Sequence, residues 1–472
     1  MRTKNILLIL NTVVFSILFY KQLIGLNIIL FLLFILPSLL LLTKPKWRNT
    51  NTVLLLITTV ITSLSCLYYG SLISVFTFTI TLLTLVSNLY ETKISLPTSL
   101  FISFFSTVFS FVLHSIEKTG SQNQEAKRKK FNPILALLIF IIILIFILIY
   151  SISNPLFGEL IQKINFDFIS IDWIIFTFIG FYLIYGLLIF LPNKEVSDWD
   201  LKKKTTLHLK QEKENSTFSQ NDLLKYGIVL FALLNILILT VNATDFYYYL
   251  FHSKPTTEIS YSAELHQSVG SLIFSIIMAI TLILIYFNGN LNFRKNKKWL
   301  VIFAFIWIAQ NVILALISVF KNYNYIQEYG LTHKRIGVYI YLILTVIGLF
   351  YTLLKIKNTK TNWFIFKQMY TVFFIFLVSY STINWNSIIL NHNIKYHKTI
   401  DWNYITTLSK NNIPQLLEIK KSDLIKNIYE KKRFNKYLKN EIDNYKEYQN
   451  KNWKSWNYMN YKIDKSINNE KE

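Results

Sequence analysis

The chain runs to 472 residues, 53% of them hydrophobic and 16% aromatic, with 49 Lys+Arg against 26 Asp+Glu for a formal charge of +23. A mean hydropathy of +0.37 excludes a disordered chain and does not fit a string of soluble domains. One cysteine, Cys66, excludes a disulfide framework and a thiolate zinc cage, and so basic a balance on so apolar a chain fits membrane-protein loops better than a nucleic-acid binder.

A bilayer-spanning helix needs about 20 mainly apolar residues. Twelve segments meet this, near 5–20, 23–43, 52–69, 71–90, 97–115, 131–151, 171–192, 223–242, 267–288, 299–320, 336–354 and 363–380. The first is short enough for a signal peptide, but Lys21 and another apolar run follow it without a small-residue cleavage site, so it is kept as a span. The sixth is nearly pure Ile, Leu and Phe and should face lipid over much of its surface. The fold class is therefore all-α, a polytopic transmembrane bundle of eleven to thirteen spans over residues 1–382. A basic helical tail follows at 383–472.

Basic clusters mark the loops: Lys127–Lys130, Lys202–Lys204, Arg294 to Lys298, and Lys355, Lys357 and Lys360. If every candidate spans, these lie on one side, which the positive-inside rule makes cytoplasmic. Loops 152–170, 243–266 and 321–335 and the tail then lie outside. Twelve crossings also put the N-terminus outside, although Arg2, Lys4, Lys44, Lys46 and Arg48 favour the inside. A re-entrant early segment, or a span count that is off by one, would remove this conflict.

Polar residues inside the spans follow helical spacing. Thr58, Thr62 and Ser65 form one stripe, Ser74, Thr77, Thr81 and Thr84 a second, and Ser99, Ser103, Ser106 and Ser110 a third, which His114 extends. Each set keeps to one helix face. Such stripes let helices approach and hydrogen-bond, or they line a polar path. Asn235, Gln310 and Asn311 lie mid-span, where an amide needs partners inside the bundle and serves as interhelical glue or as a ligand contact.

The outer loops collect Asp245, Tyr261, Glu264 and His266, then Glu328, His333, Lys334 and Arg335. Around one cleft these would hold an anionic group, with Glu264 and His266 as acid/base candidates and Arg335 as the anion clamp. Glu264 and His266 are two apart and diverge on a helix, so no metal site is expected. A phosphate loop, a dinucleotide fingerprint and a nucleophile elbow are all missing from the sequence, and no cofactor is expected.

The tail holds 17 Lys+Arg against 10 Asp+Glu. Leu424, Ile428, Tyr437, Leu438, Ile442 and Tyr445 are spaced for amphipathic helices, and Trp453, Trp456, Tyr458 and Tyr461 form an aromatic end. This tail is expected to cap the membrane domain or to bind lipid or an envelope protein partner.

From about 240 to 420 the chain resembles the bacterial membrane-protein families known as domains of unknown function 4173 and 4153. Four stretches carry the resemblance. They are Tyr261, Ser262, Glu264 and Gly270 in "ISYSAELHQSVGSLIFSI"; "GNLNF" at 289–293; Tyr325, Tyr329, Gly330, Leu331, Thr332, Arg335 and Ile336 in "KNYNYIQEYGLTHKRIGVYIYL"; and Asn384, Asn391, Asn393, Asp401, Tyr404, Leu408, Pro414 and Leu416 after the last span. Where many relatives carry an Arg, this chain has His266 or Gln267. The resemblance implies a polytopic membrane fold and sharpens the site more than the function; the candidate binding residues are Arg335, Tyr329, Thr332, Asp245, Tyr261, Gln310, Asn311 and Asp401.

Gly330 marks a turn before a span. Arg335 near that helix's N-terminus opposes the macrodipole and should have an anionic partner: Glu264, Asp245, Asp401, a lipid phosphate or a ligand. The abundance of Lys, Asn and Ile fits a bacterium of low GC content, which places the chain in a cytoplasmic membrane among lipids. The leading expectation for function is a non-enzymatic scaffold, sensor or regulator. A permease with a path past Gln310 and Asn311, and an enzyme acting on a lipid-linked anion, are the alternatives.

Overall fold

The computed structural model describes residues 2–44, 49–120, 133–154, 156–157, 170–209, 220–251, 274–287, 289–396, 400–408, 410–422, 424–425, 427–448 and 452–470. Among them the regular structure is helical, apart from one antiparallel bridge between Thr206 and Lys360. Nine helices of the described residues are long and apolar enough to cross a membrane, and two shorter apolar helices cover Thr3–Phe19 and Phe274–Tyr286. Contacts divide the chain into two compact units, residues 1–200 with 449–461, and residues 201–448 with 462–472.

The first unit contains α1 (Arg2–Phe19), α2 (Leu26–Thr43), α3 (Thr50–Tyr69), α4 (Leu72–Tyr90), α5 (Leu96–Gly120), α6 (Pro133–Ser153), α7 (Ile171–Leu188) and most of α8 (Lys194–Lys202). Side-chain caps start several of these helices: Ser71 accepts from the Ser74 N–H and Ser170 from that of Trp173. Gly70, at φ +58°, ends α3 in the left-handed conformation that glycine adopts without strain.

The bundle is inside-out by the standard of a soluble protein. On α5, Ser99, Ser103, Ser106 and Ser110 are fully buried, while Phe101 and Phe104 are 56% and 59% exposed. On α1, Asn11 and Ser16 are buried and Ile6, Ile9 and Ile17 exposed. Water as the surrounding solvent would penalise that outward face at roughly 25 cal/mol per Å², whereas lipid does not. The first two hydroxyl stripes pair across helices, Thr62 with Thr81 at 2.9 Å and Ser65 with Ser74 at 3.0 Å, whereas on α5 the hydroxyls of Ser99, Ser103 and Ser110 are buried with no hydrogen-bond partner among the described residues.

Strict alternation of twelve crossings fails in this unit. Ser106 donates to the Gly186 carbonyl, Tyr182 to that of Val108, Ser16 pairs with Thr177 and Tyr20 with Ser170. These contacts set α7 antiparallel to both α1 and α5. Alternation through α6 would have made α5 and α7 parallel. With α5 ending where α7 begins, the start of α1, the α2–α3 and α4–α5 links and the end of α7 share one end of the bundle. Arg2, Lys4, Lys44 and Lys93 thus gather at a single end.

The opposite end receives a strap from far along the chain. Trp456 O accepts from the Leu26 N–H at 2.8 Å, Ser455 Oγ accepts from the Leu23 N–H at 3.0 Å and donates to Gln22, and Lys454 donates to Ile17 O. A Cβ on Gly25 would stand 2.3 Å from Trp456 O, so only glycine permits this approach.

The second unit contains α9 (Gln220–Phe251), α10 (Phe274–Tyr286), α11 (Lys298–Tyr329), α12 (His333–Lys357), α13 (Asn362–Ser381), α14 (Trp385–Tyr396), α15 (Trp402–Thr406), α16 (Ile413–Lys421), α17 (Ile428–Tyr448) and the later part of α18 (Tyr458–Asn468). Here alternation holds. Asn235 donates to Phe303 O and Asn242 to Gln310 O, so α9 and α11 run parallel with α10 returning between them. The buried Lys355 donates to Phe287 O and Asn362 to Leu284 O, which places the end of α10 beside the α12–α13 link. The basic stretches 202–204, 294–298 and 355–360 therefore lie at one end.

At the other end, α14 to α17 and the later part of α18 form a small helical cap. Its core joins Trp402, Ile405, Leu416, Leu417, Phe434, Leu438, Tyr445, Ile463 and Ile467 to Ile326, Leu331 and Ile336 of the bundle. Leu438 and Tyr445 face inward as their spacing predicts. Leu424 and Ile428 are exposed instead, because α17 begins only at Ile428 and Phe434 opens its buried stripe.

Candidate functional site

Where α11 meets α12 the chain turns in three residues. Gly330 closes α11 with φ +80°, its N–H donating to Ile326 O at 2.8 Å. Thr332 caps α12 by accepting from the Arg335 N–H. Between them, Leu331 is gripped at both backbone polar groups: its N–H donates to Asn393 Oδ1 at 2.6 Å and its carbonyl accepts from Asn393 Nδ2 at 2.9 Å. A Cβ on Gly330 would come within 2.9 Å of that same Oδ1. Asn393 of α14 thus reads the turn much as a neighbouring β-strand would.

Arg335 staples the turn from inside. Its Nη1 donates to Tyr329 O at 2.8 Å and to Gly330 O, and its guanidinium lies 4.0 Å from the Tyr325 ring centre and 5.9 Å from that of Tyr329. Helix ends leave carbonyls unsatisfied, and here a side chain from the next helix satisfies them. Among the described residues no carboxylate holds Arg335: its hydrogen bonds go to backbone carbonyls, and the cation rests on aromatic faces. The carboxylate of Asp245 is taken by Lys321 at 2.8 Å.

The cap supplies the facing wall. Asp401 caps α15 by accepting from the Tyr404 N–H at 3.1 Å, and Tyr404 Oη accepts from the His333 N–H at 2.9 Å. Burial pushes the Tyr404 phenol pKa up, while the His333 N–H and the Arg335 charge pull it partly back. His333 Nε2 pairs with Asn386 at 2.6 Å. The walls enclose a cleft of about 370 Å³ lined by Glu328, Tyr329, Gly330, Thr332, Arg335, Asn393, Ile400, Asp401 and Tyr404. A second hollow of about 490 Å³ shares Ile400 and Asp401 and reaches Glu430, Arg433 and Tyr437.

Four sequence candidates, Tyr329, Thr332, Arg335 and Asp401, meet in this cleft. Gln310 and Asn311 do not join them. Gln310 lends its backbone carbonyl to Asn242, and Asn311 Nδ2 bonds Trp307 O within its own helix. Asp245 sits on the same α9–α11 seam. Tyr261, Glu264 and His266 lie outside the described residues. Glu328 joins them, as its place in the outer loop suggested, whereas Asn393 was not singled out as a site residue from the sequence, although it belongs to the post-membrane segment that carries the resemblance.

Apolar spans with buried hydroxyls, and a polar cleft at one turn between them, define a multi-pass helical membrane protein. The chain belongs to the family described as Domain of unknown function (DUF4153), whose model matches residues 6–419. No curated protein and no solved structure matches the chain.

Proposed function

We propose that this chain is a non-enzymatic regulator of a bacterial cytoplasmic membrane, with its basic ends inside and the cleft and cap outside, which senses a small ligand in the cleft. One observation carries the reading. The cleft's walls come from two parts, the α11–α12 turn and the cap, so a ligand touching Arg335 and Asp401 together fixes one against the other. Differential affinity for two cap positions is all that a ligand switch requires. The pairing of the first two hydroxyl stripes with each other supports helix packing rather than a transport path between α3 and α4. The 452–457 segment, being engaged with the first unit, supports partner recognition by the cap's outer faces and not by a free tail.

The orientation has a direct test. Cys66 is buried, so a cysteine introduced elsewhere is the reactive one. Asn403→Cys is expected to react with an impermeant maleimide on intact cells, and Lys357→Cys only after lysis. The reverse pattern would overturn the orientation.

For sensing, purified protein is incubated with lipid and polar extracts of its host cells. Amide exchange across 328–335 and 400–404 is expected to slow, and Asp401→Ala to abolish that slowing. Chemical conversion of the added material would favour the enzyme reading. Flux into proteoliposomes would favour the permease.

A further inference from the structure

The cleft carries opposite charges that do not neutralise one another. Glu328, Asp401 and Arg335 all line it, yet among the described residues neither carboxylate forms an ion pair with Arg335; the recorded pairs are Lys321 with Asp245 and Lys420 with Glu470. The guanidinium has five N–H donors. Nη1 is committed to the two carbonyls, while the edge formed by Nε and Nη2 has no partner among the described residues. That edge is the one that takes a phosphate or carboxylate through two parallel hydrogen bonds. Asp401 uses Oδ1 for its cap and has Oδ2 to spare, and Glu328 is exposed.

A simple anion placed here would gain Arg335 and be opposed by two carboxylates. A simple cation would gain the carboxylates and be opposed by Arg335. A ligand bearing both charges avoids either conflict. Depth narrows the class further. Arg335 lies in the first turn of a membrane-spanning helix, which sets the cleft at the level of the lipid phosphates. Tyr329 adds an aromatic face, 40% exposed, of the kind that attracts ammonium groups.

Building on the sensing reading above, we infer that the cleft binds a phospho-ammonium zwitterion of the ethanolamine type, the phosphate on the open edge of Arg335 and the ammonium on Asp401 and Glu328. The same group arrives either as a lipid head or as a free phosphodiester, and the test separates them. Full-length protein in detergent is titrated with glycerophosphoethanolamine, ethanolamine, inorganic phosphate and calcium chloride. In parallel it is placed in nanodiscs of phosphatidylglycerol with or without phosphatidylethanolamine. Amide exchange over 328–335 and 400–404 is read in every arm.

The zwitterion is expected to slow exchange at a concentration at least tenfold below that needed with ethanolamine or phosphate. Glu328→Gln and Asp401→Asn should each weaken it severalfold. Asparagine also caps helices, so Asp401→Asn preserves α15, and its loss of binding would not reflect unfolding. A response only in the phosphatidylethanolamine nanodiscs assigns the ligand to the membrane, and a response to the soluble diester shows that the free compound suffices.

Equal or stronger protection by phosphate alone or by calcium alone overturns the zwitterion while leaving ligand sensing in place. No protection in any arm overturns it too, and only if the cell extracts are equally silent does the sensing reading fall with it.

Discussion

Gly186→Leu is expected to leave almost no folded protein. The glycine lies where α7 crosses α5, and a Cβ there would stand 2.4 Å from Thr107 Cα and 2.7 Å from Thr107 O. Both are backbone atoms, so no rotamer change relieves the clash, and the helices must separate. Separation also breaks the bond from Ser106 Oγ to Gly186 O at 3.1 Å and the one from Leu191 N–H to Ser106 Oγ at 2.9 Å. Overpacking in cores costs about 1–3 kcal/mol and sometimes more, and the lost hydrogen bonds add about 1 kcal/mol each. The buried Cys66 supplies the readout, since a thiol-reactive dye labels it only on unfolding. Its labelling midpoint in detergent should fall by ten degrees or more. Gly337→Ala, with nothing within 4 Å of the added Cβ, should leave the midpoint unchanged. A wild-type midpoint for Gly186→Leu would show that α5 and α7 do not approach as described.

The second large effect is expected at Asn393. Replacing it with leucine keeps the volume and removes both bonds to the buried Leu331 backbone. An unsatisfied buried polar group costs about 1–3 kcal/mol, so two predict a loss of about 2–6 kcal/mol. Asn393→Asp keeps the acceptor for the Leu331 N–H but sets an oxygen against the Leu331 carbonyl, and should fall between wild type and leucine. Protease cleavage of the cap measures the effect. Equal resistance in all three proteins would mean that the cap is held without this clamp.

Much of this was legible because lipid leaves the periodicity simple. Serines at 99, 103, 106 and 110 can share only one face of a helix, and a hydroxyl face in hydrocarbon must turn inward. On the α9–α11 seam the same logic held for Asn235, whose amide bonds Phe303 O, but not for Gln310, which offers Asn242 only its backbone carbonyl. Chain direction was less legible. Counting apolar runs treats every run as one crossing, and α6 is as apolar as any, so only contacts such as Ser106 with Gly186 reveal that α5 and α7 oppose each other.

At the site, the turn and its arginine were visible in Tyr-Gly-Leu-Thr and Arg335, and Asp401 in the segment after the last span. The partner of Arg335 was not. Sequence displays carboxylates, whereas the carbonyls of Tyr329 and Gly330 belong to residues of any type and become acceptors only because a helix ends there. Asn393 was hidden for a similar reason, since its partner is the backbone of a leucine 62 residues earlier.

The strap at 452–457 has a bearing on how the protein is made. Its docking groups on Gln22, Leu23 and Leu26 emerge more than 400 residues before it does. At about 5–20 residues per second, the α1–α2 turn stands open for on the order of tens of seconds. For that interval its backbone donors are met by water, lipid heads or an assembly factor. Sealing of the α1–α2 turn is therefore a late event in biogenesis, set by the arrival of a distant segment and not by the insertion of the bundle's own helices.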